Sequence, residues 1–160
     1  MKADYASLNR QLSGLLAEET DVLANTANFV GLLYSEIPRI NWLGVYVLRG
    51  EQLVLGPFQG KPACVRIALG QGVCGTAADT LQTQRVDDVH TFEGHIVCDP
   101  DSKSELVVPM SIDGRLIGVL DIDSPAARRF TQDDQDGVES LCETYLRSVS
   151  EEIRRSGKFI

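Results

Sequence analysis

The sequence lacks the arrangements of residues that bind metal ions tightly. Among its 160 residues are only two histidines, His90 and His95, and it contains no C-x-x-C pair and no tight pairing of cysteine with histidine. Zinc sites are built from such residues at short spacing. A zinc site is therefore disfavoured, both histidines are expected to belong to loop structure, and no metal or organic cofactor is expected.

Long apolar runs and clusters of positive charge are also missing. No apolar stretch approaches the roughly 20 residues that cross a bilayer, and the beginning, MKADYASLNRQL, is typical of a polar helix rather than a signal peptide. Lys and Arg number 15 against 23 Asp and Glu, a formal net charge of -8. Because this charge repels phosphate backbones and anionic lipids, nucleic acid and membrane partners are disfavoured, and a cytoplasmic protein is expected.

Length and composition are those of an ordinary globular protein. Hydrophobic residues make up 43% of the chain and charged residues 24%, and 160 residues are close to the usual size of one domain. We therefore expect a single domain over 1–160, with helices in 4–36, a sheet and its loops in 40–124, and a helix in 131–155.

Three segments carry the apolar periodicity of helices. The pattern predicts helices over 4–17 and 21–36, and a third over the C-terminal segment, whose apolar stripe includes Cys142. Thr131 is the expected N-cap of this last helix, and Asp134 follows at the spacing of a capping box.

The segment between the helices alternates as β-strands. Strands are predicted over 40–48, 52–57 and 64–69, and a further hairpin turns at Asp113 and Gly114. Such an order of helices and hairpins predicts an α+β fold. Its central sheet is antiparallel, the terminal helices pack on one face, and ligand-binding loops lie on the other.

Three local features interrupt the strands. A glycine-rich turn, Gly70–Gly75, precedes a short helix whose free N–H groups would suit a carboxylate, although such turns are common. The stretch 87–105 has no clear period, and loops of that length are usually functional or disordered. Here a functional loop that closes over a ligand is favoured. Pro109 suggests an edge strand or a bulge.

The four cysteines divide by their surroundings. Cys142 lies on the apolar stripe of the last helix and is expected to be an inert core thiol. Cys98 stands among acidic residues in GHIVCDPDSKSELVVPM, which indicates a site rather than packing. Cys64 and Cys74 have apolar neighbours, so either packing or chemistry fits them. In a reducing compartment any pairing should be transient.

Acidic and aromatic residues supply the other candidates. Asp121 and Asp123 are two apart on a predicted strand and share a face, Glu105 ends the long loop, and Asp87 at its beginning is a weaker candidate. These acids could be a solvated surface or a site for an ammonium group. Trp42 and Tyr46, four apart on a strand, also share a face and would serve either as core or as an aromatic wall for a ligand.

Spaced motifs over roughly residues 20–150 resemble those of GAF domains. In particular NWLGVYVL, GQGVCG, HIVCD, SELVVPM and GVLDIDS are similar to the motifs of the stand-alone GAF proteins that are free methionine-(R)-sulfoxide reductases. The resemblance implies reduction of free L-methionine (R)-S-oxide by an enzyme that thioredoxin recycles, and a homodimer.

The same resemblance assigns roles to the candidate residues. It implies that Cys98 attacks the sulfoxide sulfur, that Cys64 is the resolving thiol, and that Cys74 is an alternative partner. It further implies that Glu105 and Asp123 polarise the sulfoxide oxygen. The remaining substrate contacts implied or expected are Trp42, Tyr46, Asp87 and Asp121.

The chemistry accounts for these residue types. A thiolate attacks the sulfoxide sulfur while an acid protonates the oxygen, and the resulting sulfenic acid condenses with a second thiol to a disulfide. Two alternatives remain open, a GAF sensor that binds a small ligand without turnover and a thiol redox switch that acts on a partner. Spacing does not decide which thiol resolves the sulfenic acid.

Overall fold

The chain folds around one antiparallel sheet in a computed structural model that describes residues 2–160. The helices are α1 (Tyr5–Leu16), α2 (Val22–Glu36), α3 (Gly72–Thr80) and α4 (Gln132–Ser156), and a 3-10 turn covers Val89–Thr91. The strands are β1 (Trp42–Arg49), β2 (Gln52–Gly60), β3 (Arg66–Ala68), β4 (Gln84–Val86), β5 (Ser104–Ile112) and β6 (Arg115–Ser124).

The sheet has six strands in the order β3-β2-β1-β6-β5-β4, and each neighbouring pair is antiparallel. The predicted hairpin between β5 and β6 turns at Asp113 and Gly114, which have φ of 52° and 77°. Positive φ at both central residues is the geometry that Asp-Gly favours in a two-residue hairpin. The α+β fold predicted from the sequence is confirmed.

Apolar residues pack on both faces of the sheet. On one face α1, α2 and α4 cover a large core that includes Leu12, Phe29 and Tyr145. Cys142 belongs to this core and is 2% exposed, as predicted for an inert thiol. A smaller core on the other face gathers Trp42, Tyr46 and residues of α3. The second face therefore leaves room for a cavity between the sheet and its loops.

The first turn of α4 fixes one end of the helical layer. The predicted capping box is present, because the Thr131 side chain accepts from the Asp134 N–H and the Asp134 carboxylate accepts from the Thr131 N–H. That carboxylate also pairs with the buried Arg129 at 3.0 Å and accepts from the Tyr5 hydroxyl at 2.7 Å. The cap thus ties α1 to α4, which the sequence motif alone did not indicate.

The strand bounds differ from the predicted ones. Strand β1 begins at Trp42 rather than at residue 40, and β2 continues to Gly60 rather than ending at residue 57. Strand β3 begins at Arg66 rather than at Cys64, which forms a disulfide. Strand β4 was not predicted, since its three residues are too few to show a period. Pro109 lies inside β5, which is not an edge strand. However, β4 pairs with β5 only as far as Val107, so Pro109 has no partner on that side. The β5–β6 register also shifts between Met110 and Ser111, close to the predicted bulge.

No helix within residues 2–160 combines the length and the apolar character needed to cross a membrane.

Candidate active site

The register of three strands brings the predicted acids and aromatics to one place. In the β1–β6 pair Trp42 lies opposite Asp123, and in the β5–β6 pair Glu105 lies opposite Asp123 as well. Opposed residues of an antiparallel pair point to the same face. All three side chains therefore line the cavity on the face away from the terminal helices, together with Tyr46 and Asp121.

Helix α3 and the long loop form the rest of the cavity wall. Cys74 comes from the first turns of α3, and the predicted loop contributes His95, Ile96 and Cys98. Ile96 lies against Gly72, where a Cβ would come within 3.2 Å of its side chain and where φ is 63°. Glycine is favoured at this position because φ is positive, and a Cβ would also crowd the side chain of Ile96. The loop thus closes one side of the cavity.

Two of the three candidate thiols are joined. Cys64 and Cys98 form a disulfide with their Cα atoms 5.5 Å apart, a separation of 34 residues in the sequence. Cys74 remains a free, buried thiol. The spacing of the cysteines left the partner of Cys98 open between Cys64 and Cys74, because the choice depends on distances in the fold. The structure pairs Cys98 with Cys64.

The two aromatic residues both wall the cavity and hold the segment that carries Cys64. The Tyr46 hydroxyl donates to the Cys64 carbonyl at 2.8 Å, and the Trp42 indole N–H donates to the Lys61 carbonyl at 3.0 Å. Both rings are almost fully buried. The indole lies over Gly44, where a Cβ would be 2.5 Å from the ring. Core packing and a cavity role are therefore both fulfilled by the same side chains.

Three carboxyl groups share the floor of the cavity. Burial raises the pKa of Glu105 well above its usual value, and the charges of Asp121 and Asp123 raise it further. Burial and the charge of Asp121 likewise raise the pKa of Asp123. Burial also raises the pKa of Asp121, but the neighbouring Glu105 and Cys74 oppose that shift. Asp121 is therefore the member best able to ionise, while Glu105 and Asp123 hold protons.

The free thiol belongs to this cluster. Cys74 Sγ donates to Glu105 Oε1 at 3.8 Å, and burial, followed by the charge of Asp121, raises the pKa of the thiol well above its usual value. Cys74, Glu105 and Asp121 can each offer one atom so that all three atoms lie within 4.8 Å of one another. Such a group can hold either shared protons or a cation.

His95 is a cavity residue that the sequence analysis did not select. Its Nε2 lies 4.0 Å from Glu105 Oε2, and its side chain is 15% exposed. Burial lowers the pKa of His95, so that the imidazole is neutral at physiological pH. The signal available in the sequence was its position three residues before Cys98 in HIVCD. His90, by contrast, lies exposed in the 3-10 turn beside Asp88, as expected for a loop residue.

The beginning of α3 offers backbone donors to the cavity. Gln71, Gly72 and Val73 line it, and no side chain caps this end of the helix. The N–H groups of a first helical turn have no partner within the helix, and the helix dipole favours an anion there. The predicted glycine-rich turn thus presents donors on the side of the cavity opposite the sheet acids.

Asp87, a predicted site residue, does not line the cavity. It is exposed directly after β4, and its carbonyl oxygen accepts from the Arg128 N–H at 2.9 Å. The sequence predicted that Asp87 begins the long loop and contacts the ligand. Because the short β4 pairs with β5 on the side away from β6, the chain leaves the sheet at Asp87 facing solvent.

An antiparallel sheet with helices on one face and a loop-walled cavity on the other is the architecture that the resemblance to GAF domains implies. The GAF domain family matches residues 1–145, and the chain belongs to this family.

Within that family the resemblance to free methionine-(R)-sulfoxide reductases is confirmed. The chain is 54% identical over 137 residues to the free methionine-R-sulfoxide reductase of Escherichia coli (strain K12), which covers 86% of this chain and 83% of that protein. It is 44% identical over 131 residues to that of Saccharomyces cerevisiae, with 79% and 73% covered. The X-ray structure of free methionine-R-sulfoxide reductase from Neisseria meningitidis in complex with its substrate is similar with a TM-score of 0.90 at 37% identity, covering 94% of this chain and 91% of that one.

Proposed function

We propose that this protein reduces free L-methionine (R)-S-oxide to L-methionine through thiol chemistry at Cys98. The observation that carries the proposal is the Cys64–Cys98 disulfide, whose Cys98 lines a cavity together with the carboxyl groups of Glu105, Asp121 and Asp123. A reductase of this kind needs a nucleophilic thiol, a second thiol within bonding distance, and a group that delivers a proton. All of them meet in this cavity.

The reaction follows from these groups. The Cys98 thiolate attacks the sulfoxide sulfur, the oxygen takes a proton from Glu105 or Asp123, and the S–O bond of the substrate is exchanged for one to Cys98. Methionine leaves, and Cys98 is a sulfenic acid. The Cys64 thiol then displaces the hydroxyl as water and forms the disulfide. A dithiol reductant supplies the two electrons that restore both thiols.

Each end of a free amino acid has a matching group in the cavity. The ammonium group pairs with Asp121, which ionises most readily of the three acids. The carboxylate accepts from the N–H groups at the beginning of α3, and the methyl group lies against Trp42 and Tyr46. A peptide-bound residue would lose both end contacts, which favours the free amino acid as substrate.

The first test is methionine release from the separate (R) and (S) epimers of free methionine sulfoxide. With thioredoxin, thioredoxin reductase and NADPH present, we expect turnover of the (R) epimer, and turnover of the (S) epimer at least about 100-fold slower, because the oxygen of the wrong epimer points away from Glu105 and Asp123. Chiral quantification of the remaining sulfoxide checks the result. A peptide containing methionine sulfoxide is the matched control substrate.

The two alternatives predict other outcomes. A sensor would bind a ligand in calorimetry without consuming it, and its binding would not need Cys98. A redox switch would oxidise with any mild oxidant and show no preference for one sulfoxide epimer. Absence of turnover with a folded, reduced protein would contradict the proposed reductase.

Thioredoxin is the proposed reductant, and the surface around the disulfide supports this choice. Val65 and Val97, each next to a disulfide cysteine in the sequence, are 59% and 63% exposed. Exposed apolar side chains beside an accessible disulfide suit a protein reductant that must seat its own thiol on one sulfur. We infer that this apolar patch, Val65 and Val97, is the thioredoxin contact.

Substituting Val97→Asp tests that contact. A charge placed in the apolar patch should slow reduction of the disulfide by thioredoxin about 10-fold, whereas reduction by dithiothreitol, which needs no docking, should stay within twofold. Stopped-flow tryptophan fluorescence of thioredoxin follows the exchange. The matched control is Leu81→Asp, another exposed apolar residue, 52% exposed and outside the patch. Equal slowing by both variants would contradict the assignment of the patch.

Two further properties are proposed, the oligomeric state and the cellular compartment. The resemblance to the reductases implies a homodimer, which sedimentation velocity would measure. The thiol cycle requires a reducing compartment, and for this reason we place the protein in the cytoplasm. Fractionation of cells would test that placement.

A further inference from the structure

The proposed reaction leaves one cavity thiol without a partner. Cys74 is 4% exposed, lies apart from the disulfide, and contacts Glu105 through its Sγ. Together with Asp121 it forms a cluster of one sulfur and two carboxyl groups, and their candidate ligand atoms all lie within 4.8 Å of one another. A soft thiolate beside carboxylate oxygens is a donor set that zinc and similar cations accept.

The spacing of these atoms is close to that of a metal site. In a tetrahedral zinc site with the usual bond lengths, a sulfur and an oxygen ligand lie roughly 3.6 Å apart. Cys74 Sγ and Glu105 Oε1 are 3.8 Å apart. A cation could therefore enter between them with small side-chain rotations.

An observation independent of the spacing points to a ligand at this cluster. Asp121 is 5% exposed, and its Oδ1 has no hydrogen-bond partner within residues 2–160. A buried carboxylate oxygen without a partner is costly, and a cation would satisfy it.

We propose that Cys74, Glu105 and Asp121 bind a thiophilic divalent cation such as Zn²⁺. All three residues line the same cavity, which gives the ion its route. A bound cation would occupy the atoms that meet the substrate ammonium group and sulfoxide oxygen. Zinc is thus a competitive inhibitor, and this consequence, unlike the binding itself, rests on the proposed function.

Cobalt binding to the oxidised protein tests the site without any assay of activity. In the disulfide form the thiols of Cys64 and Cys98 are blocked, so that a thiolate-to-cobalt charge-transfer band would arise from Cys74 or Cys142. We expect a saturable band that Zn²⁺ abolishes. The band should vanish in Cys74→Ser and persist in the matched control Cys142→Ala, whose thiol lies in the core under the helices.

A second variant distinguishes the loss of a metal ligand from misfolding. Asp121→Asn keeps the size of the side chain and should weaken cobalt binding about tenfold or more while the far-ultraviolet dichroism stays native. No band at millimolar cobalt, or a band that survives Cys74→Ser, would overturn the proposal. Unchanged affinity in a folded Asp121→Asn variant would overturn the role of Asp121.

Inhibition is then measured separately. Zinc should raise the KM for the (R) sulfoxide and leave kcat unchanged, and a chelator should reverse the effect. Cobalt binding without any turnover of sulfoxide would support the metal site but contradict the proposed reductase function. Turnover that zinc does not inhibit, in a protein that binds it, would overturn the competition.

Discussion

Replacing Cys98 with serine is expected to abolish turnover of the free (R) sulfoxide, lowering kcat by at least about 10³-fold. A serine hydroxyl is hardly ionised near neutral pH and is a poor nucleophile toward a sulfoxide sulfur. It also cannot become a sulfenic acid and cannot form the disulfide with Cys64. The substitution therefore removes both the first step of the proposed reaction and the route back to the reduced enzyme.

The control for this loss is Cys142→Ala, which removes a thiol from the core under the terminal helices and should retain turnover. Substrate binding should also survive in Cys98→Ser, because the carboxyl cluster and the aromatic wall are untouched. Calorimetry with the (R) sulfoxide measures that binding, and methionine release measures turnover. Substantial methionine release by Cys98→Ser would exclude Cys98 as the nucleophile.

A reductant-free single turnover adds a direct view of the chemistry. One equivalent of (R) sulfoxide should release methionine and consume the thiols of Cys64 and Cys98, leaving Cys74 and Cys142 reactive after denaturation. Differential alkylation followed by mass spectrometry identifies the paired cysteines. Pairing of Cys98 with Cys74 in this experiment would mean that the disulfide of the structure is not the one formed in turnover.

Much of this site follows from local patterns in the sequence. The two-residue period of a strand predicted that Asp121 and Asp123 share a face, and four-residue spacing predicted the same for Trp42 and Tyr46. The structure places all four on the cavity side of the sheet. The last helix and its cap at Thr131 were likewise predicted, because caps and apolar stripes are properties of neighbouring residues.

Contacts between residues far apart in the sequence could not be predicted from these local patterns. The disulfide joins residues separated by 34 positions, and the choice between Cys64 and Cys74 depends on how β3 and the long loop meet. His95 becomes a cavity residue only because the loop folds over α3. Asp87 lies outside the cavity for a related reason, since it is exposed directly after the short β4. Periodicity carries no information about such contacts.

The carboxyl cluster shows why burial matters more than composition here. Three acids in an acidic protein would ordinarily be taken as a solvated surface. In the cavity Glu105 is 6% exposed and Asp121 is 5% exposed. Buried this way they cannot all be ionised together, so the cluster holds protons at a pH where an exposed carboxyl group has lost them. Under the proposed function, this protonated acid is the donor to the sulfoxide oxygen.

Glu105→Gln should therefore lower kcat/KM about 10²- to 10³-fold, the usual contribution of a positioned general acid. Glutamine keeps the shape and a hydrogen bond to the sulfoxide oxygen but cannot release a proton. In the native protein burial raises the pKa of Glu105, so the acid is protonated at low pH and kcat/KM should fall as pH rises through that raised pKa. In Glu105→Gln this fall at the alkaline side should disappear.

The shape of the pH profile separates a proton donor from a residue that merely fills space. Glu93→Gln, an exposed acid on the same loop, is the matched control and should leave the profile unchanged. Asp121→Asn should act mainly on KM, because Asp121 is the proposed partner of the ammonium group.

The stability of Glu105→Gln gives an independent check. The raised pKa means that the folded state binds the proton of Glu105 more tightly than the unfolded chain, so this carboxyl group costs stability as pH rises above its unfolded pKa. Glutamine removes that cost, and Glu105→Gln should remain folded at neutral pH. A variant that unfolds no more readily than the native chain, yet keeps full activity and the alkaline fall, would show that the proton comes from another group.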